Sequence, residues 1–329
     1  MASDKPISQE LFQAYASNLR KAINAVPVSD DLAAQWLANV SRFAAYKAYD
    51  VTATIRRVVS EDGDIEFGRA VLHTYNRYQA AEYNTAVARA RTGKQWLQFS
   101  EKDNMRLFPN IKWLPSRSAN PREEHMPFYG LIWPKNDPFW LSNQPGSLWN
   151  CKCDWEQTDE DPTPNNPSET IVMPGLDQNP ATAGQIFTDT APYIRKAKTQ
   201  QDIIENTNFC GASLMRKTKH PEKRINTGAG EVIIDNWMYE ETAKSNSHDS
   251  YYFIKNEVAT NLEKYITKFK HHKPEAIDHH NNPRGKAGRR KAHAVQMHTF
   301  TGEVCGYSFV VKVLEMESGE LKAWSTYIK

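Results

Sequence analysis

The stretch from Arg117 to Trp155, RSANPREEHMPFYGLIWPKNDPFWLSNQPGSLWNCKCDW, constrains this chain more than any other. It packs four tryptophans, five prolines, one histidine and two cysteines into about one-eighth of the sequence. Proline removes a backbone donor and breaks helices, so no long helix fits. Four indoles are too much apolar surface for a solvated linker. The segment therefore predicts a rigid, irregular structure with its own small core, and something must order it.

Cys151 and Cys153 are one residue apart. On extended backbone their thiols share a face, because the side-chain period is two. Both can then reach one zinc ion, with His125 as a nitrogen ligand and Asp137 or Asp154 as a fourth. Only one Cys pair is present, and its spacing is not the two-residue gap of zinc ribbons. The competing reading makes both thiols small buried hydrophobes beside Trp149 and Trp155. Asp137-Pro138-Phe139-Trp140 reads as a turn in which Asp137 caps backbone amides and the aromatics plug a core.

The chain has 329 residues, enough for about two domains. Net charge is +2, so a nucleic-acid partner would need a local basic patch. No apolar run approaches the roughly 18 to 20 residues of a membrane span. The N-terminal sequence reads as an amphipathic helix rather than a signal peptide. Four cysteines in this length do not make a disulfide framework, so a reducing cytoplasm is expected.

The first hundred residues read as three helices. Ser8 caps the first, with Leu11, Tyr15, Leu19 and Ile23 on one face. Ser29, followed by two aspartates, starts the second, with Leu32, Trp36, Val40 and Phe43 at helical spacing. A turn at Glu61–Asp64 precedes the third, whose stripe is Ala70, Val71, Tyr75, Tyr78 and Ala81 and whose end is set near Thr92-Gly93. From Asp154 to Asp189 there are eight acidic residues and no Lys or Arg, which reads as a solvated loop. Val172 to Lys196 regains apolar residues and is expected to fold back onto the first domain.

A second unit begins near Gln200. It reads as a helix, a short strand at 231–234, a longer helix from Tyr252 to Phe269, a basic loop, and a terminal antiparallel meander with turns at Thr301-Gly302 and Ser318-Gly319. The fold class expected is α+β, divided into a helical region at 1–45, a domain at 46–198 that contains the irregular segment, and a smaller α+β domain at 199–329.

Trp113, Arg122, His125, Pro134, Asp137, Pro138, Phe139, Trp140, Pro145, Asn150, Cys151 and Cys153 fall in an order that resembles the head-morphogenesis family typified by phage Mu protein F. The later GLDQNPA resembles that family's following turn, departing from it at Leu176, Gln178 and Ala181. The resemblance covers roughly Tyr46 to Lys196. It implies a minor capsid protein of the virion, made in the host cytoplasm, that acts with the portal and major capsid proteins. Metal binding is suspected in the family.

The C-terminal part more weakly resembles the phage branch of the barnase–EndoU–colicin–RelE nuclease group. This implies a metal-independent ribonuclease or toxin. Such chemistry needs a base, an acid and a cation. His248, His293 and His298 are the histidines available, with Lys255, Arg290 and Lys291 as cations, Glu257 as a base, and Ser325 or Thr326 as phosphate contacts. His293 and Arg290 stand out because they lie at a strand entry. His293 and His298, five apart, face opposite sides of a strand unless a bulge intervenes. Seven Lys or Arg lie between Lys270 and Lys291, against Glu275 and Asp278. Arg284, Lys286, Arg289, Arg290 and Lys291 are the candidate contacts to phage DNA or host RNA. The pairs His271-His272 and His279-His280 are read as loop residues.

Overall fold

The computed structural model describes residues 7–62, 64–195, 212, 220–244, 249–277 and 286–329. The expected helix just after Gln200, together with His248, Arg284 and the His279-His280 pair, lies outside the described residues. The protein is α+β and falls into two compact units, Met1–Gln200 and Gln201–Lys329.

Unit 1 starts with three helices, α1 (Gln9–Asn24), α2 (Asp30–Asp62) and α3 (Ile65–Phe99). Ser8 and Ser29 cap as the sequence suggests, Ser8 Oγ accepting from Leu11 N and Ser29 Oγ from Leu32 N, and Asp64, read only as part of a turn, caps α3 by accepting from Phe67 N at 2.8 Å. Phe12, Tyr15, Leu19, Trp36, Val40 and Phe43 form the buried seam. Helix α2 runs without a break through position 45.

Two expectations for α3 fail. The helix continues past Gly93 to Phe99. Gly93 is not a cap but a point of close approach, since a Cβ there would meet the Trp36 ring at 2.9 Å. The proposed stripe is also misplaced. Ala70 and Tyr78 are exposed, and the buried positions cluster further on, at Glu82, Thr85, Ala86, Arg89, Ala90 and Thr92. Polar residues hold this seam. Lys47 Nζ, fully buried, contacts both Glu82 carboxylate oxygens at 2.8 and 2.6 Å, and Tyr193 Oη donates to Glu82 at 3.0 Å.

The irregular segment carries a three-stranded antiparallel sheet in the order β2-β1-β3: β1 (Asn110–Leu114), β2 (Ile132–Pro134) and β3 (Asp154–Thr158). Residues after 172 do fold back. Arg89, buried on α3, donates to the carbonyls of Ile186, Leu176 and Gln178 at 2.6, 3.0 and 2.6 Å. Trp36 Nε1 donates to Pro180 O at 3.0 Å.

Unit 2 is a six-stranded sheet in the order β4-β5-β9-β8-β7-β6. The strands are β4 (Lys223–Thr227), β5 (Gly230–Ile234), β6 (Lys270–Ala276), β7 (Ala294–Val304), β8 (Tyr307–Met316) and β9 (Leu321–Ile328). The terminal meander β7-β8-β9 is antiparallel, but β5 pairs with β9 in parallel, so the whole sheet is mixed. Helices Asn236–Lys244 and Asp249–Thr260 cover one face. Met238, Tyr239, Val258, Leu262, Phe300, Val311, Val313 and Ala323 make the core there.

Three expectations change here. The α-helix ends at Thr260, and two 3-10 turns follow at Leu262–Lys264 and Ile266–Lys268. His271 and His272 lie in β6, not in a loop. Thr301-Gly302 is not a turn either. Strand β7 runs on to Val304, and the reversal falls at Cys305-Gly306, both at positive φ. Gly302 is required because the Phe269 ring occupies the place of a Cβ.

Candidate metal centre

His125 sits in a 3-10 turn, Glu123–Phe128, between β1 and β2, and is fully buried. Its Nε2 faces Ile171 O at 3.4 Å and Ser147 Oγ at 3.3 Å. With Nε2 engaged there, Nδ1 points at sulphur, 3.4 Å from Cys151 Sγ and 3.7 Å from Cys153 Sγ. The two cysteines lead directly into β3, whose pairing with β1 brings them to the histidine. Arg117 N donates to Lys152 O at 3.2 Å and fixes the residue between them.

The three ligand atoms lie within 4.8 Å of one another. A tetrahedral zinc ion with bonds of about 2.3 Å to sulphur and about 2.05 Å to nitrogen would separate S from N by roughly 3.6 Å. The two observed separations straddle that value, so the residues fit the ion. Zinc would be held by Nδ1 of His125 and the two thiolates, with Nε2 fixed from behind by a carbonyl as metal-bound histidines commonly are.

The local field favours thiolate at Cys151 alone. The hydrogen bond from Cys153 and the neighbouring His125 hold the Cys151 thiol down to about 4 against the cost of burial. Cys153, as donor in that pair and half-buried, is pushed up. The Trp113 indole N–H is buried with no hydrogen-bond partner among the described residues. Tyr129 Oη is 3.8 Å from Cys153 Sγ.

Neither aspartate joins the group. Asp137 Oδ1 accepts from Phe139 N at 2.8 Å, capping the short helix Pro138–Leu141, the role its turn chemistry suggests. Asp154 faces Arg117 at 3.2 Å. Among the described residues the centre has three protein ligands. Cys151 and Cys153 border a cleft of about 540 Å³ that Arg91, Gln95, Arg117 and Lys152 also line.

The other ordering agent, an aromatic core, is present. Ile111, Trp113, Phe128, Trp133, Phe139, Trp140 and Trp155 form one cluster. Trp133 and Phe139 stack at 4.3 Å, and Trp113 meets the His125 ring edge-on at 5.0 Å. Metal set and aromatic core are neighbours within one small structure. Trp149 is the exception: it packs instead on Phe187 and Phe43.

In unit 2 the sequence-derived catalytic set does not come together. Lys255 is fully buried, with Nζ on Thr242 O at 3.0 Å, and desolvation lowers it to about 8. Glu257 is buried on the same helix. Thr326 faces the helices, its N–H on Thr242 Oγ1 and its hydroxyl on Met238 Sδ. These three serve the helix-covered face, because their strand and helix positions point inward.

His293 is exposed, 3.5 Å from Glu317, and Arg290 pairs with Glu240 at 2.8 Å. With Arg289, Trp237 and Met316 they line a shallow hollow of about 280 Å³. Lys286 and Lys291 bound the short helix that carries Arg289 and Arg290. A bulge does intervene near the start of β7, between Ala294 and Gln296. Even so, His298 is not in that hollow. It is buried between His271 Nε2 at 3.0 Å and Glu315 Oε2 at 3.1 Å.

Family models, curated proteins and solved structures give no match to this chain.

Proposed function

We propose that the chain is a minor capsid protein of phage head morphogenesis, working beside the portal and major capsid proteins, with zinc bound at His125, Cys151 and Cys153. One observation carries the reading. The residues behind the sequence resemblance, scattered over some forty positions, gather into one constellation: His125 and both cysteines converge, while Phe139 and Trp140 enter the adjoining core. Bound zinc would cross-link the turn before β2 to the strand entry of β3 and supply folding energy that so small a core lacks. The test is co-expression with phage portal and major capsid proteins. Heads that incorporate the chain, and incorporate less of a His125→Ala variant, support the reading. Heads that form normally and exclude the chain overturn it.

A second reading, a ribonuclease or toxin activity in unit 2, is favoured by the sheet itself. Helices cover one face, and the opposite face carries half-buried polar side chains on four adjacent strands. The two readings are compatible, since the first unit could place the second inside the virion. Among the described residues no helix is long and apolar enough to cross a membrane.

A further inference from the structure

Strand register puts His272 opposite Thr299, Thr299 opposite Lys312, and Lys312 opposite Ser325. Directly opposed residues share a face. The four therefore form one line across β6, β7, β8 and β9, roughly 14 Å long at about 4.8 Å per strand. The face is the one away from the helices, because the next residues along, Phe300, Val311 and Thr326, are buried on the helix side. The neighbouring line is Lys270, Thr301, Val310 and Tyr327.

Most solvent-facing strand residues are polar and do nothing further. Two features separate this line from that case. First, its groups are organised: Lys312 Nζ donates to Thr299 Oγ1 at 2.7 Å, and His272 Nε2 lies 2.7 Å from Thr301 Oγ1. Second, its charge is uncompensated. Among the described residues no carboxylate lies within ion-pair distance of Lys312, whereas Lys112, Lys223 and Lys244 each have one. Glu315, three residues further along β8, is taken by His298 at 3.1 Å, and Glu275 on β6 stands opposite Met297, beside the line rather than on it. A half-buried cation among four hydroxyls (Thr299, Thr301, Ser325 and Tyr327) is the donor set for an anion with several oxygens. A histidine at one end adds an imidazole that can accept a proton.

We propose that this face binds the phosphodiester backbone of single-stranded RNA, with Lys312, Thr299 and Ser325 on the phosphate and His272 as the proton acceptor for the adjacent 2′-hydroxyl. The proposal rests on the second reading above and gives it a site different from the His293–Arg290 hollow. With Nε2 donating to Thr301, Nδ1 of His272 keeps its lone pair and takes the 2′-hydroxyl proton. O2′ bonds to phosphorus as the P–O5′ bond breaks. The departing O5′ takes a proton from water, and the hydroxide so formed recovers the proton from His272. The products are a 2′,3′-cyclic phosphate and a free 5′-hydroxyl. Lys312 faces the charge that builds on the phosphoryl oxygens. DNA lacks the 2′-hydroxyl, so it binds without being cut.

The test uses the full chain with a fluorescently labelled single-stranded RNA and the DNA of the same sequence. Wild type should cut the RNA to cyclic-phosphate ends and bind the DNA intact. His272→Ala should lower the cleavage rate by about 100-fold or more while still binding RNA. Lys312→Gln should weaken binding of both strands and reduce the slope of log affinity against log salt by about 0.7, as the loss of one phosphate contact does. Lys312→Arg, which keeps the charge, should retain binding and controls for folding. The site is overturned if His272→Ala cuts as fast as wild type, or if Lys312→Gln leaves affinity and salt slope unchanged. Cleavage lost in His293→Ala but kept in His272→Ala overturns this site and leaves the ribonuclease reading standing. Wild type that neither binds nor cuts RNA removes both and leaves the head-assembly reading untouched.

Discussion

At the scale of single residues, the chain repeatedly places one side chain where no other would serve. Cys153 is one such case: it lies beside His125 and Tyr129 and pairs with Cys151. Serine in its place keeps the size but not the affinity for zinc. Cys153→Ser is expected to bind well under half an equivalent of zinc by elemental analysis where wild type binds one, and full retention in the variant would argue against the site. Gly302 is the other case. An added methyl there collides with the Phe269 ring. Gly302→Ala should destabilise unit 2 by about 1–3 kcal/mol in urea unfolding, as overpacked core sites do. A second change, Phe269→Leu, should recover part of the loss. If the double variant is no better than the single, the cause lies elsewhere.

At the scale of elements, the caps and the aromatic turn were legible because their chemistry is local. Ser8, Ser29 and Asp137 each accept from a backbone N–H two or three residues ahead. Gly93 and Gly302 were misread for a physical reason. A glycine that ends an element and a glycine that admits a distant ring look alike along the chain, since the ring belongs to Trp36 or Phe269, over thirty residues away. The candidate metal set was partly legible. His125, Cys151 and Cys153 could be named from the sequence, but Asp137 could not be set aside until its bond to Phe139 N was seen. The line on the open face of unit 2 was hidden, because it exists only once four strands are in register. One element-scale consequence concerns α2 and α3. Beyond Thr52 and before Gln79 most residues are half-exposed or exposed, including Val59, Ile65, Phe67 and Tyr78. Their backbone amides should exchange with deuterium well before those at Trp36–Ala48 and Thr85–Thr92, because few apolar contacts hold the distal turns. Equal protection along both helices would contradict this.

At the scale of the whole molecule, the two units have separate cores and should answer separately to conditions. Chelation should act on unit 1 if the proposed zinc is bound there, and within unit 2 pH acts through Lys255. Burial lowers this lysine to about 8 in the folded state, against about 10.4 in an unfolded chain. Below pH 8 both states hold the proton, and the cost of the buried charge is fully present. Between about 8 and about 10.4 the unfolded state binds more protons, so stability rises with pH, by no more than about 3 kcal/mol. Lys255→Met should flatten that rise and leave unit 2 more stable than wild type at pH 7. Urea unfolding of both at pH 7 and pH 10 decides, and parallel pH dependence in the two proteins would refute it. A last consequence follows from where α2 and α3 are buried. Their contacts with each other, Lys47–Glu82 and Trp36–Gly93, and with the rest of unit 1, through Arg89, concentrate at the ends far from the Asp62–Asp64 connection. The peptide link between the helices is therefore not what keeps them paired. Residues 1–62 and 64–329, produced as two polypeptides in one cell, should find each other and purify together as a nicked but native protein. In that sense unit 1 is already a complex of two pieces that happen to share a chain.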